Sequence, residues 1–181
     1  MLETAVFAGG CFWCIQYHFD QVDGVLETVV GYSGGYLEKP TYEKVLSGTT
    51  GHSEAIKITY NSDIVTYREL LIEFFSIIDP TNEFGQFCDV GEQYEPKIFY
   101  LNNEQKELAG RGIKILEGFL KKSVSVKVLR FKNFYPAEFY HQKYYEKHPK
   151  LYNSYFANSG RFHHFTYVTP KIKEFLRNNL K

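Results

Sequence analysis

Thr4-Ala5-Val6-Phe7-Ala8-Gly9-Gly10-Cys11-Phe12-Trp13-Cys14-Ile15-Gln16-Tyr17-His18-Phe19-Asp20 is the stretch that decides how this chain begins to fold. Its first five residues form a short apolar run that two glycines stop, and from Cys11 bulky side chains recur at helical spacing. The stretch therefore reads as strand, tight turn, helix. That turn sets Cys11 at a helix N-terminus, where unpaired N–H groups and the helix dipole favour a thiolate. A buried cysteine packed as a small hydrophobe is the ordinary alternative. Two preceding glycines and a second thiol at Cys14 argue against it. Phe12 and Trp13 suit a core equally well; only their place beside Cys11 points them at a pocket for a methyl or thioether group.

Working outward, Val25 to Gly31 reads as a second strand, followed by the glycine-rich loop Gly31-Tyr32-Ser33-Gly34-Gly35-Tyr36. Pro40 and Thr41 open a short helix that ends near Gly48. In Glu54 to Tyr60 the alternation is clean, with Glu54 on the face shared by Ile56, Ile58 and Tyr60. Thr66 with Glu69 predicts a capping box ahead of an apolar helix that Asp79-Pro80 ends. Thr81 to Glu95 reads as a polar loop, Ile98 to Leu101 as a strand, and Glu104 to Leu120 as an amphipathic helix. Val124, Val126 and Val128 mark another strand, a short aromatic helix follows Pro136, and Thr169-Pro170 caps a C-terminal helix. Strands and helices mix without a regular βαβ series, which predicts an α+β two-layer sandwich with helices on a mixed or mostly antiparallel sheet.

Composition narrows the class. Of 181 residues 44% are hydrophobic, with 14 Gly, 6 Pro and 3 Cys, which excludes collagen-like, disordered and disulfide-scaffold chains. No repeat or linker divides the sequence, so residues 1–181 are expected to form a single catalytic domain. No run reaches the length of a membrane span and no basic-then-apolar leader opens the chain, which places the protein in the cytoplasm without a membrane partner. In that reducing compartment three cysteines are redox or catalytic groups rather than staples. The zero net charge hides a split: residues 1–95 carry −11 and residues 96–181 carry +11. Since the basic residues are scattered and no recognition motif accompanies them, the expectation is that the halves pack together and that nucleic acid is not a partner. No metal site is expected, because beyond Cys11-x-x-Cys14 no Cys or His pair has ligand spacing. His141 is expected to make a structural hydrogen bond within its aromatic helix.

Taken in order, Gly10-Cys11-Phe12-Trp13, Gly31-Tyr32-Ser33-Gly34-Gly35, Pro40-Thr41-Tyr42, Gly51-His52-Ser53-Glu54-Ala55, Asp89-Val90-Gly91-Glu92-Gln93-Tyr94 and Tyr135-Pro136-Ala137-Glu138-Phe139-Tyr140-His141-Gln142 resemble the peptide methionine sulfoxide reductase A family over about residues 5 to 150. The resemblance implies reduction of the S-epimer of methionine sulfoxide, free or in proteins, with thioredoxin as electron donor and no cofactor. It implies that Cys11 attacks the sulfoxide sulfur while Phe12 and Trp13 hold the methyl group. Glu54 would protonate the departing oxygen, Tyr42 and Tyr94 would hydrogen-bond it, and Asp89 would belong to the same polar wall. Cys11 would become a sulfenic acid, which a second thiol converts to a disulfide. Independently, desolvation on its apolar face would raise the Glu54 carboxyl pKa, as a general acid requires. The core of the sandwich is expected to be ferredoxin-like, an α-β plait, and the protein a monomer.

The family often draws its resolving cysteine from a C-terminal segment, but residues 89–181 contain none. Cys14 or Cys88 must serve. Cys14 is preferred because CxxC at a helix start is the commoner redox arrangement, although Cys88, directly before Asp89, could also reach Cys11. Glu95-Pro96 stands where the family frequently has Arg-Ser, which predicts a reversed charge near the pocket mouth. Two other readings are a general CxxC dithiol-disulfide oxidoreductase and a binding module built on the basic, aromatic C-terminal half. The first has no use for Glu54 with the tyrosines, and the second predicts salt-dependent nucleic-acid binding that survives Cys11→Ser.

Overall fold

The computed structural model describes Met1–Lys181. β1 (Leu2–Ala8) lies inside a six-stranded sheet and hands the chain through Gly9-Gly10 to α1 (Phe12–Phe19). β2 (Val25–Ser33), α2 (Tyr42–Leu46), β3 (Ser53–Asn61) and α3 (Tyr67–Ile77) follow. The polar stretch expected as loop contains a two-stranded hairpin, β4 (Gly85–Gln86) and β5 (Asp89–Val90), and a 3-10 turn at Glu92–Tyr94. Then come β6 (Lys97–Tyr100), α4 (Asn103–Leu120), β7 (Lys127–Arg130), β8 (Phe134–Pro136), α5 (Tyr144–Lys147), α6 (Pro149–Asn158), α7 (Arg161–His163), a π-helical turn at His164–Val168, and α8 (Thr169–Asn179).

The sheet order is β7-β6-β1-β3-β2-β8, antiparallel except for the parallel β6–β7 pair. This is the mixed α+β arrangement the sequence predicted. Alternation decides what each face carries. Ala5 and Phe7 of β1 join Ile56, Ile58 and Tyr60 of β3 in a core that α1, α3, α4 and α8 cover. Val6, Ala8 and Ala55 point the other way, into a small cluster with Phe99 that Phe131 and Phe134 close over. The main helices thus form one layer on one face, and Phe7 stacks on Phe74 of α3 at 4.7 Å across that interface.

Local signals fix the helix starts. Thr66 accepts from the Glu69 N–H while the Glu69 carboxylate accepts from the Thr66 N–H, the reciprocal capping box expected. Asn102 caps α4 through the Gln105 N–H, and Lys121 ends it in a left-handed conformation. Thr169 behaves differently from its expected capping role. It starts α8 without a side-chain cap, because its hydroxyl donates instead to the Ser76 carbonyl of α3 and ties the two helices together. β8 had no signal of its own in the sequence. It is a three-residue edge strand held by Gly31–Ser33 of β2.

The opposite charges of the two halves do meet. Asp20 pairs with Lys143, Glu95 with Lys127, and Glu73 with Lys173. The Glu95 carboxylate is also within 3.4 Å of Lys97, so the expected reversal of charge at the pocket mouth is absent: two lysines neutralise it.

Candidate active site

At the ends of β1, β2 and β3 that face α1, separate segments converge on a cavity of about 60 Å³. Cys11 and Trp13 come from the start of α1, Tyr42 from α2, Glu54 from β3, Asp89 from β5, Tyr94 from the 3-10 turn and Tyr155 from α6. Since about 10–15 Å³ suffices for one water, this space takes a head group of a few heavy atoms. A roomier hollow of about 420 Å³ lies beside α8, but there the Glu73 carboxylate is already engaged by His18, Lys173 and Arg177.

Gly10 makes the turn possible. Its φ of +82° is one that L side chains rarely adopt, and a Cβ there would stand 2.6 Å from both Arg161 Nη2 and Gln86 Cβ. The chain then enters α1 with Cys11 at the N-cap and the Phe12 N–H aimed at Glu54, which accepts at 3.0 Å through Oε2. Glu54 sits opposite Tyr32 in the β2–β3 register and is 3% exposed. Burial pushes its carboxyl well above the usual range; the charge that Cys11 can carry and the Asp89 carboxylate push the same way, against the Phe12 N–H and Arg161. Glu54 is therefore held as the neutral acid.

The thiols differ from expectation. Cys11 makes no side-chain capping bond, and the Phe12 N–H at this helix start is taken by Glu54. Burial pushes the Cys11 thiol well up, the neighbouring Cys14 thiol adds to this, and Arg161 only partly opposes it. Cys11 thus rests as a thiol, not as the thiolate its helix position predicted. At Cys14 burial also pushes upward, but the Cys11 thiol, Arg161 and the Tyr152 hydroxyl outweigh it and bring this thiol below its ordinary value. Cys88 is exposed in the β4–β5 turn beside Tyr155, and burial and the neighbouring Asp89 raise it. Cys11 packs against Cys14, not Cys88.

Aromatic groups frame these charges. Burial above all, and then the proximity of Glu54, keeps Tyr42 and Tyr94 as neutral phenols, able to donate. The Tyr155 hydroxyl donates to Asp89. Trp13 stacks on Tyr144 with centroids 3.8 Å apart, and its indole N–H donates to His141 Nδ1 at 3.1 Å. Burial lowers the His141 pKa, keeping Nδ1 available as acceptor. His141 thus bonds across the fold to α1 rather than within its own short 3-10 turn, Phe139–His141. Phe12 does not line the cavity. Its ring is buried with Val30, Tyr32, Val45 and Ala137, so it serves the site through its backbone N–H.

A family model described as peptide methionine sulfoxide reductase matches residues 3–171. The chain belongs to the peptide methionine sulfoxide reductase family. A peptide methionine sulfoxide reductase MsrA of Bacillus licheniformis is 48% identical over 161 residues, which make up 88% of this chain and 89% of the relative. Among solved structures, Mxr1 from Saccharomyces cerevisiae in reduced form superposes with a TM-score of 0.78 at 29% identity, covering 82% of this chain and 87% of that one. Methionine sulfoxide reductase A of Corynebacterium diphtheriae gives 0.75 at 28% identity, covering 82% and 76%.

Of the residues singled out in the sequence, Cys11, Trp13, Tyr42, Glu54, Asp89 and Tyr94 meet at one cavity, Cys14 lies directly behind it, and Cys88 stands outside. Sequence reading missed Tyr155 in the wall and Arg161, which reaches under the Gly9-Gly10 turn to donate to the Gly9 carbonyl at 3.0 Å. An isolated arginine after a Ser-Gly pair carries no local signal. The aromatic spacing of Tyr152, Tyr155 and Phe156 in α6 could have flagged a packed face, but not what that face packs against.

Proposed function

We propose that this chain reduces the S-epimer of methionine sulfoxide to methionine, free or within oxidised proteins, with Cys11 as nucleophile and Glu54 as proton donor. The observation that carries this reading is a neutral, buried Glu54 fixed by the Phe12 N–H at the wall that also holds Cys11. A sulfoxide leaves its oxygen only when that oxygen is protonated, and few sites keep a carboxylic acid neutral for the purpose. In this reading Trp13 receives the methyl group, while Tyr42 and Tyr94 donate to the sulfoxide oxygen and Asp89 with Tyr155 completes the polar wall. The Cys11 sulfur attacks the substrate sulfur as Glu54 protonates the oxygen, and Glu54 recovers a proton from the Cys11 thiol. In the adduct so formed the hydroxyl passes from the substrate sulfur to the Cys11 sulfur as the S–S bond between them breaks, methionine leaves, and Cys11 is left as a sulfenic acid, oxidised by two electrons as the substrate is reduced by two.

Cys14, packed with Cys11 in one buried cluster, is the resolving thiol of this scheme in preference to the exposed Cys88. Thioredoxin then reduces the disulfide, which suits a reducing compartment such as the cytoplasm. The seven wall residues run from Cys11 to Tyr155, which supports a single catalytic domain, and the protein is taken to work as a monomer. The order β6-β1-β3-β2, with α1 and α3 as crossovers, supports reading the inner sheet as a ferredoxin-like plait. A general dithiol-disulfide exchanger would have no use for the buried acid. Methionine release from each sulfoxide epimer, coupled to a thioredoxin system, tests the proposal. Turnover of the S-epimer alone, abolished in Cys11→Ser, is expected; equal turnover of both epimers, or activity surviving that change, would refute it.

A further inference from the structure

Arg161 is wholly buried, yet its guanidinium donates one hydrogen bond, to the Gly9 carbonyl, and leaves Nε and Nη1 without a partner. No carboxylate lies within ion-pair distance of it. Asp89 is engaged by Tyr155, and the Phe87 ring covers the guanidinium 4.7 Å away. On the preceding helix, α6, Tyr152 is 3% exposed and packs with Cys11 and Cys14; its hydroxyl is likewise buried without a partner. A desolvated cation with orphaned donors is costly unless an anion completes it. The groups beside it that can become that anion are the thiols.

We propose that Arg161 and Tyr152 form a preorganised hole for negative charge on the Cys14 sulfur, built to drive the resolving step. This rests on Cys14 being the resolving thiol. The groups facing that sulfur are Cys11 on α1, Arg161 on α7, Tyr152 and Tyr155 on α6 and Asp89 on β5; Arg161 and Tyr152 favour the anion, as does the Cys11 thiol, whereas Asp89 opposes it. The Cys14 thiolate attacks the sulfenic sulfur of Cys11. The S–S bond forms as the S–O bond breaks, and the departing hydroxide takes up the proton that Cys14 gave up, leaving as water. No outside oxidant or reductant is needed. The same hole acts again when a dithiol attacks the disulfide. A stabilised thiolate leaves faster, so attack is directed onto the Cys11 sulfur with Cys14 as leaving group.

Loss of a charge-assisted donor changes the population of the anion it holds by about 10- to 100-fold. A thiol of higher pKa is also a better nucleophile once ionised, with a Brønsted coefficient of ~0.4–0.5, which recovers nearly half of that loss on a logarithmic scale. Closure should therefore slow by roughly three- to tenfold at neutral pH. The test is rapid-quench single turnover with methionine sulfoxide and no reductant, following methionine release and loss of the sulfenic acid to disulfide across pH. Arg161→Met should slow closure more than methionine release and move its pH profile upward. Arg161→Lys should restore part of the shift, and Tyr152→Phe should shift it less than Arg161→Met. A closure profile identical to wild type in Arg161→Met overturns the proposal. Should that variant not fold, unchanged profiles in both Arg161→Lys and Tyr152→Phe overturn it instead. Cys14→Ser separates the underlying assignment: a Cys11–Cys88 disulfide formed at the wild-type rate defeats the choice of Cys14, whereas a stalled sulfenic acid upholds it.

Discussion

Glu54→Gln tests the neutral acid directly through stability. Gln keeps the shape of the side chain, and its carbonyl can still accept the Phe12 N–H that Glu54 holds at 3.0 Å. What it removes is the linkage to pH. Burial raises the folded-state pKa of Glu54 well above the usual carboxyl range, while in the unfolded chain the group titrates normally. Between those two values the folded chain binds one more proton than the unfolded chain. The stability contribution of Glu54 is then full below the unfolded value and falls as pH rises, by about 1.4 kcal/mol per pH unit until the folded value is reached. Urea unfolding of wild type and Glu54→Gln at a series of pH values from 5 to 8 should show the variant gaining on wild type, at about that slope until the folded value is reached. The comparison cancels every other titrating group common to both. A stability difference that does not change over this range means that Glu54 is ionised in the fold, and proton donation to the sulfoxide oxygen fails with it. In activity the same variant should release methionine about 10²–10⁴-fold more slowly, the usual contribution of a general acid.

Cys14→Ser should release one methionine per chain and stop, whereas Cys88→Ser should keep cycling with thioredoxin; mass mapping of the oxidised product distinguishes them. Glu73→Gln leaves Lys173 and Arg177 without their carboxylate. A loss of about 2–3 kcal/mol is expected at pH 7, less than a wholly buried pair because both cations keep some water. Burial works against Glu73, but the His18 and Lys173 bonds hold its carboxyl below the ordinary value, so this contribution is present above that value and lost as pH falls through the folded one. Acid unfolding of wild type and variant should therefore converge. Thr66→Ala breaks the capping box of α3 and should cost about 1 kcal/mol in denaturant melts while leaving turnover unchanged.

What could be read from the sequence was what local physics fixes. The apolar run at Thr4–Ala8, the two glycines and the alternation from Glu54 to Tyr60 dictate β1, the turn and β3 whatever surrounds them. Glu54 could be placed on the buried face because a strand has period two, and the burial that raises its pKa followed from that placement. What failed depends on distant partners. Cys11 looked like a thiolate because a helix start offers free N–H groups, but one of them belongs to a glutamate 42 residues away. Phe12 and Trp13 are neighbours of the same character, yet successive helical positions point apart, so one ring enters the core and the other the cavity. β8 is short and pairs only at an edge, and Arg161 acquires meaning only where the C-terminal helices fold back beneath the Gly9-Gly10 turn.

Trp13 is the sole tryptophan of the chain, and it lines the cavity with its ring flat against Tyr144 and its N–H on His141. Indole emission from this protein therefore comes from one address. Anything that enters the cavity, charges the imidazole or turns the Cys11–Cys14 pair alters that light. The chain carries its own optical probe, and each step of the cycle can be timed without attaching a label.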